Sequence, residues 1–183
     1  MPVFAVDPVL GHASAAALAL VFIVGAWHKF ADLDAFRLAV ERYRLLAAPA
    51  AGGAALALPM AEALAGLMLL LPASRTAGAA LAAAVLVLAS TAVAVNLLRG
   101  HRDIDCGCGT PGTGQRLSWA LVGRNAVLLA ACAVAAAPEQ ARELVWLDAF
   151  TAVFAALALW TLYAAANELL ADSQRLSSSR MQP

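Results

Sequence analysis

The sequence predicts an all-α integral membrane protein: one bundle of about five transmembrane helices, with an amphipathic helix at the bilayer surface after the first. Three observations predict it. Of 183 residues, 63% are hydrophobic and 13% charged, with a mean hydropathy of +0.79, well outside the balance of a soluble domain. The charged residues gather in a few places and leave five apolar stretches, each close to the roughly 20 residues a helix needs to cross a bilayer. Those stretches are built from Ala and Leu, which favour the helix, and a helix satisfies its own backbone groups in lipid.

The first stretch runs from Val9 to Phe30. A secretory signal carries basic residues before its apolar core. Here the first Lys or Arg is Lys29, so the segment is expected to stay as a permanent helix. Next comes ADLDAFRLAVERYRLLAAP, in which Phe36, Ala39, Val40, Tyr43 and Leu46 share one helical stripe while Arg37, Glu41, Arg42 and Arg44 lie elsewhere. That pattern describes a helix lying in the interface; an ordinary amphipathic connector would read the same way.

Further spans are expected at Gly52 to Leu71, Ala77 to Leu98, Leu117 to Ala137, and from Leu144 to at least Leu162. Pro72 and Pro138 mark tight connections. Gly25, Gly66 and Gly78 would let helix axes approach closely, as packing in lipid requires. Trp27, Trp119, Trp146 and Trp160 fall toward span ends, where indoles anchor at the interface. The bundle is expected to occupy residues 1–171, with 172–183 (SQRLSSSRMQP at its end) as a polar, mobile tail.

Net charge is zero, which gives no sign of a nucleic-acid partner. Nine Lys and Arg residues fall on one side of the expected topology, against Arg75 and Arg142 on the other and Arg124 within a span. The positive-inside rule then places the N-terminus outside, the C-terminus inside and the loop after the third span in the cytoplasm.

That loop contains DIDCGCGTPG, residues 103–112. Cysteines one residue apart hold their α-carbons roughly 5.5 to 7 Å apart, overlapping the range in which a disulfide closes, and Gly107 eases the bend. Cys132 lies inside the fourth span, about 20 Å further along the helix. A zinc site lacks ligands, with only His101, Asp103 and Asp105 nearby, so no metal is assigned. A purely structural disulfide would close too short a loop to stabilise much. A redox-active dithiol, exposed and strained in a glycine-flanked loop, fits best.

Loops one and three share a side by parity. His28, Lys29, Asn96, Arg124 and Asn125 therefore approach the cysteines' end, and Glu62 lies near the middle of span two. A carboxylate and a guanidinium inside hydrocarbon are costly and normally face the bundle interior with a partner, which makes Glu62 with Arg124 the natural pair. Such a pair could serve only to fix helix register. Alternatively, Lys29 or Arg124 would lower a thiol pKa, or Glu62 would handle a proton. Asp105, beside the cysteines, joins these supporting polar residues, and Asp148 is expected to face headgroups.

GAWHKF ending span one, PMAEALAGLMLLLP in span two, NLLRGHRDIDCGCGTPG after span three and LVGRNAVLL in span four together resemble the MauE methylamine-utilisation family within the DoxX-like membrane proteins. The family commonly has an aromatic after the second Cys-Gly; this chain reads CGCGTPG. The resemblance implies a multi-pass protein of the bacterial inner membrane that supports maturation of the disulfide-rich methylamine dehydrogenase small subunit beside a thioredoxin-like partner. Cys106 and Cys108 would be the exchange pair. Two functions follow: a membrane thiol-disulfide oxidoreductase, with another thiol pair or a bilayer quinone as the second redox couple, or a non-enzymatic scaffold for a maturation partner. A carrier built on Glu62 and Arg124 is disfavoured, because no inverted repeat is visible.

Overall fold

The computed structural model describes residues 5–101, 104, 106 and 115–179. Among the described residues there are six helices: α1 (Pro8–Ala31), α2 (Leu33–Arg42), α3 (Ala48–Leu70), α4 (Arg75–Leu98), α5 (Trp119–Ala136) and α6 (Trp146–Ser179). All but α2 are long and apolar enough to cross a membrane, so the expected all-α bundle with five spans and a short helix after the first is present.

Local chemistry sets the ends. Asp7 caps α1 by accepting from the Val9 N–H at 2.8 Å, with Pro8 at the first helical position. Asp32 caps α2 in the same way through Ala35. α4 ends at Gly100, whose φ of 81° only glycine adopts cheaply. The Gly100 N–H bonds the Leu97 carbonyl and the His101 N–H bonds the Asn96 carbonyl, the paired closure of a left-handed helix stop.

Helices α1, α3, α4 and α5 form a ring in which α1 and α4 each pack against α3 and α5. α6 lies along the outside of α1, and α2 packs on α3. The core runs through Leu18, Phe22, Leu69, Leu86, Leu128 and Cys132. Close approach depends on two glycines. A Cβ on Gly78 would stand 2.8 Å from the Leu69 nitrogen, and one on Gly66 would stand 2.7 Å from Ile23 Cγ1. Gly25 differs from the expectation: a Cβ there would meet only Glu62 and Lys29 polar atoms at 3.8 Å, so it borders a polar site and not a helix contact.

Two further departures have physical reasons. α2 stops at Arg42, and Arg44 takes a φ of 50° as the chain turns toward α3. Leu46 therefore leaves the expected stripe and is exposed, while Phe36 and Ala39 are buried. α6 continues through 172–179, the start of the expected tail, as helical backbone, and 180–183 lie outside the described residues. That length puts Trp160 near the middle of α6, away from a helix end.

At the end where α1 begins, the chain start is bound to the α5–α6 connection. Val6 and Glu139 form a parallel bridge through Val6 N–H to the Pro138 carbonyl (2.9 Å) and Gln140 N–H to the Val6 carbonyl (3.0 Å). Arg142 spans Asp7 and Asp148, and Arg75 bonds Glu139 at 2.6 Å. Asp148 is thus an ion-pair partner in this clasp.

Candidate functional site

The opposite end carries the cysteine loop, and one hairpin closure frames it. The Cys106 N–H bonds the Gln115 carbonyl at 2.8 Å, and the Leu117 N–H bonds the Ile104 carbonyl at 3.1 Å. The Cys106 carbonyl accepts from the Tyr43 hydroxyl at 3.2 Å, which joins the chain after α2 to the loop after α4. This contact confirms that loops one and three share a side.

The Cys106 side chain is 4% exposed and packs with Val93, Leu97, Leu117 and Leu121, flanked by Tyr43, Ile104 and Val122. This corrects the expectation of an exposed pair as far as Cys106 is concerned. The apolar faces of α4 and α5 converge where the hairpin folds back, and they enclose the thiol. Cys108 and Asp105 lie outside the described residues. Cys132 belongs to the separate main core. Three buried polar atoms on segments next to Cys106 have no hydrogen-bond partner among the described residues: Asn96 Oδ1, Gln115 Nε2 and Ser118 Oγ. Asn96 is 0% exposed, and its amide donates to the Ala92 carbonyl one turn back.

One turn deeper lies a mainly apolar cavity of about 60 Å³, whose lining joins Phe22, Leu86 and Leu128 to the polar side chains of Lys29, Glu62, Arg124, Asn125 and Tyr163. Lys29 Nζ donates to both carboxylate oxygens of Glu62, at 2.7 and 2.6 Å. Lys29 is 8% exposed and also sits 5.6 Å from the centre of the Phe36 ring. The partner expected for Glu62 was Arg124. Lys29 takes that place because α1 and α3 pack directly, with Gly25 leaving room beside the pair.

Arg124 lines the same cavity. Its Nε and Nη2 donate to Asn125 Oδ1 at 3.2 and 3.1 Å, its Nη1 donates to Asn167 Oδ1 at 2.9 Å, and its guanidinium faces the Tyr163 ring at 5.8 Å. Asn125 is buried and donates to Ser90 Oγ at 3.0 Å, tying α5 to α4. Of the residues expected at the site, Lys29, Glu62, Arg124 and Asn125 are thus brought together, and Asn96 and Cys106 form a neighbouring group toward the surface. Sequence reasoning missed Tyr163, Asn167 and Ser90. The first two are polar residues four apart within the apolar run of α6, a spacing that puts them on one helix face.

The arrangement holds an ion pair between α1 and α3 and a guanidinium bonded to its neighbour Asn125 and to Asn167 of α6 inside the apolar layer, beneath a cysteine whose backbone is fixed at both polar atoms. The same architecture can be compared with known proteins. Residues 7–138, which include α1 to α5 and the cysteine hairpin, match the family model described as methylamine utilisation protein MauE. MauE of Paracoccus versutus is 39% identical over 164 residues, covering 89% of this chain and 88% of that protein. MauE of Paracoccus denitrificans is 38% identical over 127 residues, covering 69% and 68%. MauE of Methylophilus methylotrophus is 35% identical over 164 residues, covering 88% and 86%. No solved structure matches the chain. The five apolar spans, the hairpin after α4 and this extent of likeness lead to one conclusion: the chain is a multi-pass membrane protein belonging to the MauE family.

Proposed function

We propose that this protein is a thiol-disulfide exchange factor of methylamine utilisation, with Cys106 and Cys108 as its redox pair and a thioredoxin-like protein as its partner. The observation that carries the reading is the anchoring of Cys106. Its N–H and C=O are both bonded and its side chain is enclosed, while Cys108 stands two residues further along the glycine-rich segment. Such asymmetry suits a pair in which one sulfur is attacked and the other is held in reserve.

In the oxidising direction a partner thiolate attacks the Cys108 sulfur of the Cys106–Cys108 bond. The S–S bond breaks, a Cys108–partner disulfide forms, and Cys106 leaves as a thiolate that takes up a proton. A second partner thiolate then displaces Cys108. The partner has lost two electrons and two protons to the pair, and the reverse sequence reduces a partner disulfide. A second couple, either another thiol pair or a bilayer quinone, would reset the pair.

Cys106→Ser removes the reserve thiol, so in cells it should accumulate a covalent complex between Cys108 and its partner, visible on non-reducing gels and lost on reduction. If cells carrying both Cys106→Ser and Cys108→Ser mature methylamine dehydrogenase at the normal rate, the exchange reading is wrong. The scaffold reading would then stand.

The family resemblance supports placement in the bacterial inner membrane, and the charge distribution supports a cytoplasmic cysteine loop, where it would draw on cytosolic thiols. Lys29 drops out of that count because it is buried against Glu62, and the bias remains without it. A membrane-impermeant thiol reagent applied to intact cells and to inverted vesicles tests the side. Labelling of reduced Cys108 in inverted vesicles alone is the expected result, and labelling in intact cells reverses the orientation.

A further inference from the structure

We propose that Gln115 is the hydrogen-bond donor that steadies the Cys106 thiolate, the leaving group in the exchange reaction, a reading on which this inference rests. The hairpin puts the two side chains together. Cys106 N–H to the Gln115 carbonyl and Leu117 N–H to the Ile104 carbonyl pair two antiparallel segments, with Cys106 opposite Gln115 and Ile104 opposite Leu117. Side chains of opposed residues stand on one face of such a pair, and the next residue along points to the other. Burial follows that alternation: Cys106, Gln115 and Leu117 are buried and Arg116 is exposed. Opposed Cβ atoms lie about 4.5 to 5.5 Å apart, a gap that a glutamine amide spans by turning about its own side-chain bonds.

Gln115 is 4% exposed, and its Nε2 has no hydrogen-bond partner among the described residues while Cys106 is a free thiol. A buried N–H left unbonded raises the free energy of the state in which it is idle. The enclosing side chains Val93, Leu97, Leu117 and Leu121 offer a thiolate nothing in place of water, and apolar surroundings disfavour the charged form. Both penalties shrink together when the S–S bond breaks. The electron pair of that bond stays on Cys106 Sγ, and the Gln115 amide turns to the sulfur and donates to it while keeping its own proton. An interaction gained only as charge develops is the kind that speeds a step. A thiolate accepts several hydrogen bonds, so Gln115 adds one whatever else the sulfur receives.

The other two unbonded polar atoms do not serve. Asn96 Oδ1 is an acceptor, and its amide is committed to the Ala92 carbonyl. Ser118, extended at φ −150° and ψ 157°, continues the outward alternation from Arg116. Charged groups stand away from the sulfur: Arg42 and Arg44 beside Tyr43, Arg99 and His101 after α4, and Arg116 are all exposed, and Lys29, Glu62 and Arg124 line the deeper cavity. Among the described residues Tyr43 is the one titratable side chain packed against the cluster, and its hydroxyl bonds the Cys106 carbonyl.

In full-length protein carrying Cys108→Ser and Cys132→Ala, Cys106 is the sole thiol. Its alkylation by iodoacetamide in mild detergent, followed against pH, reads its ionisation. Gln115→Met keeps the side chain's length and removes the donor, and should move the midpoint of the profile upward by about one pH unit. Gln115→Glu sets an acceptor there and should move it further. A merely structural Gln115 would change the plateau rate at high pH and leave the midpoint in place. In case neither variant folds, the isotope-labelled side-chain amide proton of Gln115 should move downfield through the same titration in the protein that keeps its glutamine. An unmoved midpoint in both variants, or an amide resonance indifferent to the titration, overturns the inference, and a partner still trapped by Cys106→Ser then leaves the exchange reading intact. A shifted midpoint with no trapped partner upholds the thiolate contact and overturns exchange.

Discussion

Lys29 and Glu62 meet inside the apolar layer with both carboxylate oxygens within 2.7 Å of one ammonium. Two charges taken out of water cost free energy that their attraction only partly returns, so the pair acts chiefly through what happens when it is broken. Glu62→Leu or Lys29→Met alone leaves one buried charge without its partner and should destabilise by about 3 to 5 kcal/mol. The combined Lys29→Met and Glu62→Leu variant should recover most of that loss. Unfolding midpoints of the four proteins in mild detergent form the double-mutant cycle that checks it, and additive losses would contradict the pairing.

Glycine positions separate by what surrounds them. An added Cβ at Gly78 would collide with the backbone between Met68 and Leu69 at 2.8 to 2.9 Å, and backbone cannot swing aside. Gly78→Ala should therefore cost about 1 to 3 kcal/mol by overpacking. Gly53 and Gly123 have nothing within 4 Å of the same atom. Alanine there should be neutral or stabilising by about 0.5 to 1 kcal/mol through helix propensity. Parallel melting of the three variants tests the contrast.

Tyr43 holds the cysteine hairpin through one hydroxyl. Tyr43→Phe keeps the ring in its apolar cluster and removes the bond to the Cys106 carbonyl, a loss of about 1 kcal/mol. The local consequence should exceed the global one. Alkylation of reduced Cys106 in the folded protein should speed up several-fold while the melting midpoint barely moves, and an unchanged alkylation rate would show that the hydroxyl does not secure the loop.

The clasp at the other end predicts an acid dependence. The Arg142 hydrogen bond, followed by the Val9 N–H, holds Asp7 below the ordinary 3.8 of its carboxyl. A carboxylate whose folded-state value is depressed contributes stability that is fully present above its unfolded value and is lost as pH falls through the folded one. Arg142 is shifted upward by Asp148 and Asp7 and stays charged throughout. The midpoint difference between wild type and Asp7→Asn should thus be constant from neutral pH down to about pH 4 and shrink below it. A difference that fades between pH 7 and pH 5 would assign the effect to another group.

The helices were legible because lipid imposes a length and a composition, and both can be counted along the chain. Which residues meet was harder to read. α1, α3 and α4 are apolar nearly all round, so no stripe reveals which face turns inward, and the choice between Lys29 and Arg124 for Glu62 depends on that rotation. Tyr43 could be placed on a stripe, but its bond to Cys106 links segments 63 residues apart. The clasp went unread for the same reason: Arg142 entered only as a charge outside the spans, and only the folded chain brings it to Asp7. Gly66 and Gly78 were recognisable because close helix packing demands small residues whatever the rotation.

That clasp has a consequence for how the protein is made. Asp7 and Arg142 are 135 residues apart, so during synthesis the first helix enters the bilayer long before the residues that will fasten its leading end have left the ribosome. Until then α1 can be held only along its sides, by α3 and later by α5. A nascent chain stalled before residue 138 should keep its amino end open to protease, and release of the next ten residues should close it.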